Sequence, residues 1–310
     1  MKAARVSKYG SPDVIEIKEM PMPEPGPGQI RVGVKAVGVG PWDALIREGR
    51  SGVPQTLPLT LGSDVAGIVD SLGKNVSGFR VGDEVYGLTN PQFTGAYAEY
   101  CVASDASMAS KPKSLNFIDA ASAPVVAVTA WQMLFDYGHA VAGQKVLVQG
   151  GAGNVGAYAV QLARNAGLQV IATASSRDIG YVKSLGASEV LDYQRVRIEN
   201  AVSLADIVLD TVGGETRERS LRVLKKGGIL VSTVPFQMPT DLAASYGVKA
   251  VSFFVDVTAA RLQTITGLFD SGKLKTQVGT VLHLKDARLA HEMLGGAPHE
   301  RGKIVLNPEE

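Results

Sequence analysis

Residues 145–156 read KVLVQGGAGNVG and run directly into AYAVQLARNAG at 157–167. A mainly apolar strand ends in Gly151-x-Gly153-x-x-Gly156, and an amphipathic helix follows at once. Strand, tight glycine turn and helix N-terminus in that order form an anion site. Backbone N–H groups and the positive end of the helix point at a pyrophosphate, and the missing side chains let it approach. A GxGxxG alone is a weak signal, and a purely structural turn is the plain alternative. The strand before and the helix after supply the context of a dinucleotide fingerprint. Gly151, Gly153, Asn154, Val155 and Gly156 are therefore expected to cradle a dinucleotide's phosphates.

The second strand, QVIATA at 169–174, bears on which dinucleotide. An NAD site places Asp or Glu at the end of this strand, about 20 residues past the glycines, on the ribose 2′-hydroxyl. Here the strand runs out into Ser175-Ser176-Arg177. No acid stands at that tip, and two hydroxyls and a guanidinium suit a 2′-phosphate. Asp178 falls on the following helix, as a cap or a solvated charge. The competing reading is an ordinary polar loop; the expectation is NADPH.

Working outward, the pattern from residue 145 is βαβ. Strands are predicted at 145–150, 169–174, 189–193, 205–212, 228–234 and 249–255, most of them separated by helical segments. Six strands with crossovers make a doubly wound parallel sheet. Before residue 120 the chain changes character: IRVGVKAVGV, VAGIVDSLG, VGDEVYGL and GAYAEYCVA are short β-like runs with Gly/Pro punctuation. They predict a compact barrel-like β domain. The tail from 279 reads strand, helix, strand and is expected to return to that domain.

Length and composition agree with a globular enzyme. The 310 residues are 45% hydrophobic and 20% charged, which excludes a disordered chain. A net charge of +1 offers no basic field for nucleic acid or an anionic membrane. MKAARVSKYG has no apolar signal core, and no apolar run approaches the ~20 residues of a membrane span. With one cysteine, Cys101, no intrachain disulfide is possible. A reducing cytoplasm is the expected location, and Cys101 reads as a small buried hydrophobe.

Seven segments together resemble a known family: LGSDVAGIVDSLGKNV (61–76), RVGDEVYG (80–87), GAYAEY (95–100), VTAWQML (128–134), GQKVLVQGGAGNVG (143–156), DTVGG (210–214) and GKIVLNP (302–308). In order and spacing they are similar to the zinc-independent quinone-oxidoreductase branch of the medium-chain dehydrogenase/reductase superfamily, over nearly the whole chain. The resemblance implies an α/β fold of two parts. A GroES-like β-barrel-type domain would cover 1–122 and be completed by 266–310. A Rossmann doubly wound parallel sheet would cover 123–265, with nicotinamide and substrate meeting between the domains. It implies a homodimer as well, for which the apolar strand KAVSFFV is suited. Beside the glycine turn and Ser175, Ser176 and Arg177, it implies cofactor contacts at Pro41, Thr129, Tyr193, Val212, Thr233, Phe254 and Val255. Thr129 would meet the nicotinamide ribose or a phosphate, Tyr193 the adenosine 2′-phosphate, and the 254–255 backbone the carboxamide.

No zinc is expected. Where zinc-dependent members carry Gly-His-Glu this chain has Gly62-Ser63-Asp64, and Gly40 replaces the first cysteine ligand. A four-cysteine lobe is impossible with one cysteine. His139, His283, His291 and His299 have no partner at ligand spacing and read as surface or packing histidines. The segment VGVGPWDALIREG (37–49) resembles the family's active-site loop, with Gly40 where many members have Asn. The tyrosine that commonly follows the loop is missing. Trp42 reads either as a pocket wall or as packing within the β domain. Asp43 reads as a holder of the loop or of a ribose rather than as an acid. Tyr86 and Tyr97 are candidate proton donors, against the ordinary reading of strand tyrosines as core.

Without a metal to hold an alkoxide, reduction of a conjugated acceptor is the accessible chemistry. The expected function is NADPH-dependent hydride transfer to a small quinone or α,β-unsaturated carbonyl compound. The alternatives are an enoyl-thioester reductase and, in another class, an NADPH-binding sensor or structural protein without turnover.

Overall fold

The computed structural model describes residues 1–234 and 240–308. The chain divides into two compact units, 1–125 with 257–310, and 126–256.

The first unit opens with strands β1 (Lys2–Val6), β2 (Ile15–Glu19), β3 (Gln29–Val39), β4 (Leu59–Thr60), β5 (Asp64–Leu72), β6 (Glu84–Leu88), β7 (Tyr100–Ser104) and β8 (Met108–Ser110). In β3 the burial alternates residue by residue before becoming continuous, as expected of a strand with one face on the core. β3 pairs antiparallel with both β5 and β7. Two short helices belong here: α1 (Pro41–Arg47), leaving the end of β3, and α2 (Phe117–Ala121).

The second unit is a six-stranded sheet of β9 (Lys145–Gln149), β10 (Gln169–Ala174), β11 (Glu189–Asp192), β12 (Ala205–Asp210), β13 (Leu224–Ser232) and β14 (Lys249–Ser252). All pairs are parallel, in the order β11-β10-β9-β12-β13-β14. That is the doubly wound order, with its switch point between β9 and β12. Helices α3 (Pro124–Trp131), α4 (Asn154–Asn165), α5 (Ile179–Ser184), α6 (Ile198–Ala201), α7 (Gly214–Leu221) and α8 (Thr240–Ser245) lie between or before the strands. Leu147, Ile171, Leu191, Val208 and Leu230, one from each of five neighbouring strands, form a core with Ile198 and Leu221 from the helices. Burying such a side chain contributes about 1.5–3 kcal/mol. α4 buries Ala157, Ala159, Val160, Leu162 and Ala163. It stops at Gly167, whose φ of +78° suits the left-handed cap residue.

Five of the six strands end before the predicted residue, β9 and β11 by a single position at Gln149 and Asp192, and β13 starts earlier, at Leu224 rather than 228. β12 stops at Asp210 rather than 212, because the Asp210 carboxylate turns the chain by accepting from the N–H groups of Val212 and Gly213. β13 stops at Ser232 rather than 234. β14 stops at Ser252 rather than 255, because β13, its one neighbour among the described residues, ends opposite it at Ser232. Phe253 instead stacks on Tyr137 at 4.4 Å.

The last elements, α9 (Ala259–Asp270), β15 (Val278–His283), α10 (Ala287–Leu294) and β16 (Lys303–Asn307), belong to the first unit. β16 pairs antiparallel with β3, completing a seven-stranded sheet. The chain leaves the second unit at Val257, earlier than the 265/266 boundary read from the sequence. The reason is α9, whose Leu262 carbonyl accepts the Tyr86 hydroxyl of β6 at 2.8 Å. No described helix is long and apolar enough to cross a membrane.

Candidate functional site

The glycine turn sits at the C-terminal end of β9, one of the two central strands of the parallel sheet. Each glycine has its own steric reason. A Cβ on Gly156 would lie 2.1 Å from the Gly150 carbonyl oxygen, so α4 can pack this close to the strand only without one. A Cβ on Gly151 would press on Ala172 of β10 at 2.9 Å. On Gly153 it would meet only the Gly150 oxygen at 3.3 Å and otherwise face open space. That open side is where a pyrophosphate can approach the backbone. Asn154, Val155 and Gly156 form the first turn of α4, where N–H groups have no intrahelical acceptor.

Beside the turn lies a crevice of about 460 Å³. It gathers Gly150, Gly153, Ser175, Arg177, Tyr193 and Val212, and adds Asp178 and Arg219. The volume and the convergent polar groups fit the adenosine half of a dinucleotide. Arg177 and Tyr193 stand at the exposed lip. Arg219 is held by a two-pronged bond to Glu199 (2.8 and 2.7 Å), which pulls the Glu199 carboxyl down to about 2.

One sequence expectation needs correction here. The tip of β10 is not free of acids. Sheet register sets Asp192 of β11 opposite Ala174, the last residue of β10. The Ser176 hydroxyl donates to Asp192 in a very short bond, and the Gln194 N–H donates to its other oxygen at 3.0 Å. These donors, with the Arg195 guanidinium 3.5 Å away, hold the Asp192 carboxyl below the usual carboxylate range. Asp178 stands at the N-cap of α5, one of its two expected places, but is not a solvated charge: it is buried, lines the crevice and accepts the Ser175 hydroxyl at 2.6 Å. Linear reading missed Asp192 because its nearness to the β10 tip is a cross-strand relation.

The remaining expected cofactor residues of this unit lie apart from the crevice lining. Thr129 is buried in α3, and the Thr233 N–H donates to the Asp210 carbonyl at 3.1 Å. Phe254 is 62% exposed and, with Val255, follows the end of β14.

In the first unit the residues at the family's zinc-ligand positions build something else. A Cβ on Gly40 would fall 2.3 Å from the Trp42 ring, so the indole occupies the space a cysteine side chain would need. Trp42 donates its Nε1–H to Ser63 at 3.0 Å. Its ring face meets the Lys303 ammonium at 4.4 Å, a cation–π contact. Lys303 also donates to Asp64 at 3.0 Å, and both side chains are almost fully buried. Asp64 accepts the Val125 N–H with its other oxygen. Among the described residues no group of three or more His, Cys, Asp or Glu is placed to hold a metal ion.

Pro41 starts α1 at its first position, where a missing N–H is harmless. Asp43 is fully buried and holds the loop by accepting from the Gly40 N–H at 2.8 Å and the Tyr97 hydroxyl at 3.1 Å. Burial pushes its carboxyl up to about 7, against the pull of the Gly40 N–H and the Lys303 charge. Tyr86 is fully buried, with its hydroxyl engaged by Leu262 and Thr266, which holds α9 rather than facing a crevice. Tyr97 is likewise core. Of the histidines, His291 is buried against Arg47 (2.9 Å) and lowered to about 3 by desolvation and that positive neighbour; the other three are exposed. Cys101 is buried, and its thiol is pushed up to about 12.

A doubly wound sheet whose first βα turn is a glycine cradle, in a chain that also carries an antiparallel β unit, defines a two-domain nicotinamide-dependent dehydrogenase or reductase. Residues 26–113 match the alcohol dehydrogenase GroES-like domain, and 185–306 match the zinc-binding dehydrogenase domain. The quinone oxidoreductase of Mus musculus is 32% identical over 99% of this chain and 97% of that protein. The solved quinone oxidoreductase of Coxiella burnetii superposes with a TM-score of 0.93 at 32% identity, covering 100% of this chain and 99% of the other. A mycobacterial protein solved in complex with NADPH gives 0.89 at 30% identity, over 99% and 100%. The chain belongs to the medium-chain dehydrogenase/reductase superfamily, in its zinc-independent quinone-oxidoreductase branch, and is an oxidoreductase.

Proposed function

We propose that the chain is an NADPH-dependent, metal-free reductase that delivers hydride to small quinones or α,β-unsaturated carbonyl compounds. The observation that carries this is the crevice itself, which lies beside the glycine turn and has Arg177 and Tyr193 at its lip, where an adenosine 2′-phosphate would lie. The similar protein solved with NADPH and the quinone oxidoreductases among the relatives support the same reading.

The bound nicotinamide supplies the hydride; the chain supplies binding, orientation and exclusion of water. The α4 N-terminus and the Gly153 backbone hold the pyrophosphate, and Gly151 and Gly156 let the helix and strands pack closely enough to do so. In the first unit Gly40, Ser63 and Asp64 replace the ligands a zinc dehydrogenase uses to stabilise an alkoxide. A conjugated acceptor does without that stabiliser, because the incoming charge spreads onto an oxygen that ordinary donors or water can stabilise and protonate.

Two measurements test the reading. Purified protein stripped of metal is expected to oxidise NADPH with a quinone or small enone at least about a hundredfold faster than it reduces NADP⁺ with a primary alcohol. The several kcal/mol of alkoxide stabilisation that a metal would supply is missing. Efficient alcohol oxidation without metal would sink the proposal, and tight NADPH binding with no turnover on any acceptor would mark a sensor instead. Separately, Arg177→Ala is expected to weaken NADPH by about ten- to hundredfold while sparing NADH, the worth of one charge-assisted bond. Equal losses for the two cofactors, by calorimetry, would mean that Arg177 does not read the phosphate.

A further inference from the structure

We propose that Asp192 sets the ratio between NADPH and NADH in this crevice, holding down the preference for a 2′-phosphate. The proposal rests on the reading of the crevice as a dinucleotide site that binds NADPH. Each serine hydroxyl has a single hydrogen to give. Ser176 gives its hydrogen to Asp192, and Ser175 gives its own to Asp178. What the two hydroxyls then present is lone pairs. A phosphate, which only accepts, finds no donor in them, whereas a ribose 2′-hydroxyl does find an acceptor.

The Tyr193 hydroxyl is neutral and Arg219 is held by Glu199, so cationic attraction for the phosphate comes from Arg177 and Arg195, and each has its Nε 3.5 Å from a carboxylate, Asp178 and Asp192 respectively. Both guanidiniums are largely exposed, so water and salt weaken their reach. Asp192 is only 8% exposed and its charge is less screened. It is also fixed in place, by the register with Ala174 and by the Gln194 N–H. The lip is therefore close to neutral rather than cationic, with the better-held charge negative.

Asp192→Asn tests this with little change of shape. Its amide oxygen keeps the Gln194 N–H. Its amide nitrogen donates to Ser176, which frees the serine hydrogen for the phosphate and removes one negative charge. Calorimetry with 2′,5′-ADP and 5′-AMP on the full chain separates the phosphate from the rest of the nucleotide. D192N is expected to bind 2′,5′-ADP about tenfold more tightly, or about 1.4 kcal/mol, with 5′-AMP unchanged within about twofold. Ser176→Ala in the wild-type background is expected to shift 2′,5′-ADP by less than about threefold, since its hydrogen is already committed. An unchanged ratio in D192N overturns the proposal. So does loss of 5′-AMP binding in D192N, which would put Asp192 on the ribose itself. A loss of more than about tenfold in S176A overturns it as well, because the hydroxyl would then be reading the phosphate. Arg177→Ala in the same series separates the two levels. If it weakens both probes equally, the NADPH reading itself has failed; if it is selective while D192N is silent, only the role of Asp192 falls.

Discussion

Lys303→Met is expected to destabilise the first unit by about 3–5 kcal/mol at neutral pH, the usual cost of stranding a buried charge. Lys303 and Asp64 are 2% and 0% exposed and 3.0 Å apart. Methionine fills much the same volume, so the penalty is electrostatic: Asp64 keeps the Val125 N–H but loses its counter-ion, and the Trp42 ring loses the cation on its face. The pH dependence distinguishes this from lost packing. Burial already raises the Asp64 carboxyl above its ordinary value, with the lysine pulling it back. Without the lysine it rises further. A group whose folded value exceeds its unfolded one contributes stability that is full below the unfolded value and is lost as pH rises through the folded one. The variant should therefore lie closest to wild type in acid and fall progressively behind as pH rises to neutrality. Denaturant titrations from about pH 5 to pH 8 measure this, and a penalty that does not vary with pH would assign the loss to packing. The double variant D64N/K303M, with no charge left to strand, is expected to recover most of the stability.

Gly156→Ala is expected to weaken NADPH and NADH alike by more than about a hundredfold, because at least two charge-assisted N–H bonds to the pyrophosphate are lost with the turn. The new Cβ would stand 2.1 Å from the Gly150 carbonyl oxygen, a backbone atom with no rotamer to yield, so α4 must move off the strand. Gly153→Ala makes the useful contrast. Its Cβ meets the protein only at 3.3 Å, so melting should be close to wild type while the cofactor, which needs that open side, is lost. Calorimetry beside thermal melting reads both. A G156A protein that binds either cofactor normally would show that the glycine turn is a structural one only. R177A, by contrast, is expected to separate the cofactors.

These two sites also differ in how far they could be read from the chain. The glycine cradle lies within one strand–turn–helix, so spacing alone placed Gly151, Gly153 and Gly156, and the βαβ period gave the parallel six-stranded sheet. Hydrophobic pattern also placed β10 and the tail that returns as β15, α10 and β16. Its errors lay at strand ends. β14 stops at Ser252 although the apolar run continues, because a strand lasts only as long as its neighbour offers hydrogen bonds.

Sequence by itself therefore determined what depends on neighbours along the chain: the glycine turn between strand and helix, the residues that stand at 40 and 62–64, and the Ser175–Arg177 loop. Tertiary structure decided what depends on charges meeting across it. Lys303 reaches Asp64 from 239 positions away. Tyr86, a candidate donor on paper, spends its hydroxyl on α9. Asp192 arrives at the tip of β10 only through the register of the next strand, so a strand tip read as free of acids has one beside it. The physical reason is the same in each case. Backbone geometry is set locally by residue type and spacing, whereas the partner of a buried polar group is whatever the packed sheet brings within hydrogen-bond distance.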